Sequence, residues 1–295
     1  MFQRILVPLD GSALAERALP LAVQLAEGSG GRVVLFRVVP YFTVLAADPL
    51  LYEEMNRLGE DEALAYLHQT RNDLADQLPI DTICEVGSAA DSILQYAQDS
   101  AIDLIVMSSH GRSGLNRWVY GSVAERIMSQ APCPTLIINA NQPAWQPGPE
   151  KVLVPLDGSE LAEKALKPAL ELVESLGPEL HLLRVTTSGH MRFETNSKAE
   201  VFDDIESTEV VQAQDYLQEL ADRLDIVNVQ LAVDVAKDSV AESIIDYAAK
   251  EGIGLIVMSS HGRTGLQRWV YGSVAEKVLR SACCATMIVR NNGNS

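Results

Sequence analysis

The sequence predicts an α/β fold used twice in tandem, each half a parallel β-sheet of about five strands with helices on both faces. Three observations predict it. The stretch LIVMSSHGRSGLNRWVYGSVAERI at 104–127 returns as LIVMSSHGRTGLQRWVYGSVAEKV at 255–278, and RILVPLDGSALAERAL at 4–19 returns as KVLVPLDGSELAEKAL at 151–166. The offset is 147 near the start of each half and 151 by the later block, which is a domain length and too long for a solenoid unit. Within each half, short apolar β-branched runs alternate with segments of helical period, as in a parallel sheet covered on both sides.

In chain order, RILVPL (4–9) is the first strand. ALAERALPLAVQLAEG (13–28) places Leu14, Ala18, Leu21, Ala22 and Leu25 on one stripe and reads as a helix. RVVLFRVV (32–39) is the second strand, and YFTVLAADPLLYEEMNRLG (41–59) breaks the pattern and is expected to be a loop or lid. A helix over 60–78, a strand over 81–86, a helix over 90–100 and a strand over 103–108 follow. A Gly-Ser pair then opens the fourth helix, and TLIIN (135–139) is the last strand. The second half repeats this order, with 187–209 as the second irregular stretch; its acidic run at 200–209 reads as a solvated loop or helix start. The domains are expected at 1–140 and 151–295, joined by a connector at 141–150 that lies within the proline-punctuated NANQPAWQPGPE.

The 47% hydrophobic content suffices for two cores of about 140 residues each. No apolar run reaches the roughly 20 residues of a membrane span, and the N-terminus shows no signal-peptide layout. Cys84, Cys133, Cys283 and Cys284 form no CxxC and no metal spacing, which fits a reducing cytoplasm. Cys283 and Cys284 are expected as two small buried residues at a strand entrance. The net charge of −17 argues against nucleic acid or an anionic membrane as partner. An anionic ligand would need local backbone donors and a few arginines.

Two loops at strand carboxyl ends stand out, where ligands of open parallel sheets bind. VPLDGS places Asp10, and Asp157 in the second half, directly after the first strand. Such a carboxylate accepts hydrogen bonds from a ligand, binds a metal, or makes an Asx turn that caps the next helix; all three readings stand. The repeated loop holds Gly111 and Gly114, then Ser122 at a helix start, where amides and the helix dipole favour an anion. Arg112 and Arg117, with Arg263 and Arg268, can supply positive charge. Against this, Ser122–Glu125 and Ser273–Glu276 match a capping box, which is a structural reason for the same residues. His110 and His261 read as structural hydrogen bonders, and Trp118 and Tyr120, with Trp269 and Tyr271, as packing. No P-loop, HExxH, nucleophile elbow or matched base and nucleophile occurs, so neither catalytic residues nor a metal site are assigned.

On ILVPLDGS, LIVMSSHGRSG and GSVAERIMSQAPCPTLII, the chain resembles the universal stress protein family in its tandem form. The resemblance covers both halves nearly end to end. It implies a Rossmann-like sheet of strand order 3-2-1-4-5 in each half. Nucleotide-binding members carry G-x-x-G, nine residues, then G-[ST]. Gly111, Gly121 and Ser122 match that pattern, as do Gly262, Gly272 and Ser273, with Arg112 and Arg263 within the loop. Ser108 and Ser259 stand where the pattern has its first glycine, offering a hydroxyl in place of conformational freedom.

The resemblance further implies that Asp10 and Asp157 face an adenosine, that Val38 and Val185 border the adenine, and that Mg²⁺ accompanies the nucleotide. Gly87 aligns with Asp238, from which tighter nucleotide binding is expected in the first half. The function implied is a cytoplasmic stress-response regulator binding ATP, ADP or AMP, with at most slow hydrolysis and an unidentified regulatory protein partner. The alternative is a structural or interaction protein of the same fold that binds no nucleotide. Pairing through the fifth strands is implied, as an internal pseudo-dimer and also as a homodimer.

Overall fold

The computed structural model describes residues 2–41, 49–74, 78–109, 121–139, 148–187, 199–225, 229–236, 239–260 and 272–290, without the side chains of 49–52 and 199–207. The chain divides into two compact units between Gly148 and Pro149, inside the stretch read as a connector. The first unit runs β1 (Arg4–Pro8), α1 (Ala13–Glu16), α2 (Leu19–Ser29), β2 (Arg32–Val39), α3 (Pro49–Asp73), β3 (Ile80–Val86), α4 (Ala89–Asp99), β4 (Leu104–Ser108), α5 (Ser122–Gln130) and β5 (Thr135–Ile138). The second runs β6 (Lys151–Leu156), α6 (Glu160–Glu163), α7 (Leu166–Leu176), β7 (Glu179–Thr186), α8 (Ala199–Leu224), β8 (Val229–Val235), α9 (Val240–Glu251), β9 (Leu255–Ser259), α10 (Ser273–Ser281) and β10 (Ala285–Val289).

The strands order as β3-β2-β1-β4-β5 in the first unit and β8-β7-β6-β9-β10 in the second. The pairs are parallel throughout. β1 therefore lies between β2 and β4, and β6 between β7 and β9. Connections leave the central strand in opposite directions, which opens a crevice at the carboxyl ends. The central strands are apolar on both faces: Ile5, Leu6, Val7, Leu104, Ile105 and Val106 are fully buried, each worth about 1.5–3 kcal/mol. On β2, Phe36 meets the Tyr96 ring of α4 at 4.9 Å. Its neighbour Arg37 lies over Tyr66 of α3 at 4.8 Å, so successive residues serve opposite faces.

Three expectations need correction. The single helix over 13–28 is two, α1 and α2. Pro20 has no N–H to give the Glu16 carbonyl and its ring crowds that carbonyl, so the helix stops and restarts. Pro168 breaks α6 from α7 in the same way, against the carbonyl of Lys164. Second, much of the irregular stretches is helix: α3 begins at Pro49 and α8 at Ala199. Ala63, Leu67 and Thr70 set the buried face of α3, and Ala213, Leu217, Leu220 and Ala221 that of α8. Gly59, costing about 1 kcal/mol inside a helix, masked the period of α3 in the sequence. Third, Cys284 is buried but Cys283 is exposed, because adjacent residues entering β10 turn to opposite sides. Burial pushes the Cys284 thiol up to about 12, so it is not a poised nucleophile.

The second unit also holds a buried histidine that its twin lacks. His181 of β7 is 2% exposed, with Nδ1 2.9 Å from the Tyr247 hydroxyl and Nε2 3.5 Å from the Glu179 carboxylate. Loss of hydration holds its pKa below 6.5, with Lys151 adding to this and Glu179 and Glu251 opposing it. The unfolded chain then binds the proton more readily than the folded one. His181 therefore contributes stability that is present above the unfolded pKa and lost as pH falls through the window below it. Between about pH 7 and pH 5, the second unit should lose stability more steeply in the wild type than in His181→Leu. Parallel pH profiles of urea midpoints for the two proteins would overturn this. Val34 occupies the equivalent strand position in the first unit.

Candidate functional site

The turn after the first strand of each unit is held by its own side chains. Asp10 Oδ1 accepts from the Ser12 N–H at 2.9 Å, and Ser12 Oγ accepts from the Ala15 N–H at 3.2 Å, capping α1. Asp157 Oδ1 accepts from the Ser159 N–H at 2.9 Å and its hydroxyl at 2.6 Å, and Ser159 Oγ caps Ala162 at 3.1 Å. Gly11 and Gly158 between them have φ of 83° and 81°, a left-handed conformation that glycine adopts without strain. The Asx turn is thus real. It does not exclude a ligand role, since an ionised carboxylate has about four acceptor positions.

The helix start after the fourth strand differs from the capping-box reading. Gly121 is the N-cap, with φ −59° and ψ 144°, and Ser122 is already the first helical residue. Gly272 and Ser273 repeat this. The cap residue, a glycine in both helices, has no side chain with which to make a capping bond. The first helical bonds run from Glu125 N–H to Gly121 carbonyl and from Glu276 N–H to Gly272 carbonyl, both 3.0 Å. The amides of Ser122, Val123 and Ala124 therefore precede the ladder at the positive end of α5. The Gly121 N–H donates to the Ser109 carbonyl at 3.2 Å and the Gly272 N–H to Ser260 at 2.8 Å, tying each helix start to its strand end.

These parts meet at one crevice in each unit. A cavity of about 330 Å³ is lined by Asp10, Val38, Ser108, Gly121 and Ser122, with Phe36 and Ile93 among its apolar residues. One of about 350 Å³ is lined by Asp157, Val185, Ser259, Gly272 and Ser273, with Leu183 and Ile244. Val123 and Ala124 line the first and Val274 and Ala275 the second, so the three first-turn residues of each helix border its cavity. Ten of the fourteen expected residues are thus brought together, five to a cavity. Gly111, Arg112, Gly262 and Arg263 lie outside the described residues, as do His110, Gly114, Arg117, Trp118, Tyr120, their second-half counterparts and Asp238. Among the described residues no three His, Cys, Asp or Glu side chains cluster to hold a metal ion.

Sequence reasoning missed Arg184 and Thr187, which line the second cavity. The signal was available, since Arg184 immediately precedes Val185 and a stretch that drifts between the halves. Arg184 lies over the Tyr216 ring at 5.6 Å, and the Tyr216 hydroxyl donates to Glu163 at 3.0 Å. Burial first, then the Glu163 carboxylate, drive the Tyr216 pKa well above its ordinary value, so it stays a neutral donor.

The profile of the universal stress protein family matches residues 1–139 and again 149–290. The chain belongs to this family. Universal stress proteins with related sequences include one of Bacillus subtilis, 29% identical over 147 residues, which covers 47% of this chain and 99% of the relative. One of Mycobacterium bovis is 26% identical over 249 residues, 80% of this chain and 72% of its own. Among solved structures, a universal stress protein of Archaeoglobus fulgidus superposes with TM-score 0.69 at 20% identity, covering 98% of this chain and 99% of the other. A Pseudomonas aeruginosa protein described as functionally unknown gives 0.71 at 16%, covering 99% and 94%. These structural likenesses show the fold. Among the described residues no helix is long and apolar enough to cross a membrane.

Proposed function

We propose that each unit binds an adenine nucleotide, ATP or its relatives, and that the chain acts in the cytoplasm as a nucleotide-dependent regulator rather than an enzyme. One observation carries the reading. Gly121 has φ −59°, and a Cβ there would meet nothing closer than the Ser109 carbonyl at 3.9 Å. Among the described residues, neither backbone conformation nor packing demands glycine at this position. A glycine kept bare over three outward amides suits a ligand that approaches the backbone closely. In a chain of net charge −17, such amides are the means of holding phosphate, each worth about 1.5–3 kcal/mol to a charged acceptor. The buried Ser108 and Ser259 hydroxyls add polar contacts at the cavity wall, and Asp10 and Asp157 suit ribose hydroxyls or the adenine amine.

Mg²⁺ would arrive on the phosphates, as it does where no protein cage is built. Hydrolysis is at most slow on this reading, since the sequence offers no base matched to a nucleophile. The nucleotide state would alter the choice of a regulatory protein partner, and fifth-strand pairing would supply the dimer. The serines at 108 and 259 favour one other reading, a nucleotide-free interaction protein of the same fold.

Denaturing extraction of freshly purified protein, with mass spectrometry of what is released, separates the two. About two adenine nucleotides per chain is the expected result, from two cavities of similar build. An empty protein with no thermal shift in millimolar Mg-ATP would sink the nucleotide reading and leave the interaction protein.

A further inference from the structure

The two cavities are built from equivalent elements but differ at one wall. In the first unit Arg37 is buried, lies over Tyr66 and stands 4.0 Å from Glu62; it does not line the cavity. Its equivalent Arg184 lines the second cavity, with Nη1 3.5 Å from the Leu156 carbonyl and only 2.8 Å from where a Cβ on Gly158 would sit. The guanidinium therefore rests against the Asp157-Gly158-Ser159 turn. Three residues on, Thr187 lines the second cavity where the first unit has Pro40, which carries neither hydroxyl nor N–H. Both differences add donors, and both sit on the β7 side of β6. The amides of α10 sit on the other side, after β9. Among the described residues the second cavity thus has two donor sets flanking Asp157, while the first has one.

We propose that the second cavity recognises a nucleotide with an anionic group at each end, a bisphosphorylated nucleoside. One phosphate would lie on the amides of Ser273, Val274 and Ala275 and the other on Arg184 and Thr187. The first cavity takes nucleotides phosphorylated at one end. This rests on the nucleotide reading above. Guanidinium suits the second phosphate because its fork of donors matches phosphate oxygens in pairs. The Asp157 carboxylate beside it opposes an anion there, so the phosphate must gain from Arg184 and Thr187 together.

The test is calorimetric titration of the full chain with AMP and with adenosine 3′,5′-bisphosphate. One site per chain should take the bisphosphate about tenfold or more tightly than it takes AMP. Arg184→Met should remove that gain and leave AMP binding, while Arg184→Lys should keep part of it. Thr187→Pro, which imports the residue of the first unit, should also lose part of the gain with the fold intact. A bisphosphate bound no more tightly than AMP, or a gain that survives Arg184→Met, would overturn the inference and leave the nucleotide reading standing. Failure of both ligands to bind would remove both.

Discussion

Phe36→Ala is expected to cost the first unit about 3–5 kcal/mol, the usual penalty for emptying a buried aromatic site. The ring is fully buried, stacks near Tyr96 at 4.9 Å and contributes to the floor of the first cavity. Its truncation would join that cavity to a void in the core. The surrounding strand cannot collapse into the gap, since β2 is paired on both sides, with β1 and with β3. Leu183→Ala removes the equivalent floor of the second cavity and should cost that unit about 2–5 kcal/mol. Urea unfolding with protease sensitivity as a unit-specific readout distinguishes the two. A loss below about 1 kcal/mol in Phe36→Ala would mean that the ring is not integral to the core.

Most of the fold was legible because buried parallel strands have few alternatives. Runs such as Val33–Phe36 and Leu104–Met107 are apolar at every position, as expected of a sheet covered on both faces. The departures trace to single residues whose effect depends on context. Pro20 and Pro168 fall inside stretches of helical period, yet each lacks the N–H that would have continued the helix. Gly59 closes the stretch expected to be a loop or lid, yet tertiary burial of Ala63 and Leu67 outweighs about 1 kcal/mol of propensity. The fate of a proline is local and could have been predicted. That of the glycine depends on which face the rest of the helix buries.

The site was legible to a similar depth, and for a different reason. Asp10 and Asp157 were visible as carboxylates at strand ends, but their hydrogen bonds to Ser12 and Ser159 needed coordinates. The Ser-Val-Ala-Glu pattern is a capping box if the serine is the cap and an ordinary first turn if the serine lies one residue inside the helix. The structure separates these by placing Gly121 and Gly272 at the cap. Arg184 escaped because the repeat invites the eye to what is shared. A side chain that is withdrawn in one copy and displayed in the other is invisible in two aligned arginines.

That one-residue placement of the cap gives the sharpest functional test. Ser122→Pro should weaken nucleotide binding at the first cavity by about tenfold to a hundredfold while leaving the fold intact. Proline is favoured at the first helical position, where its missing N–H has no helical partner to lose. The residue before it must be extended, and Gly121 already is, at ψ 144°. The substitution removes one outward amide and one hydroxyl from the cavity wall and little else. Stability should hold or rise, by at most about 1 kcal/mol, because proline narrows the unfolded ensemble. Ser273→Pro should do the same at the second cavity, where Gly272 has ψ 149°. If binding is unchanged while stability holds, these amides do not hold the anion and the phosphate lies elsewhere. If stability falls by about 1 kcal/mol, the serine was serving as a cap after all. Only loss of affinity at constant stability fits a helix start kept open for a ligand.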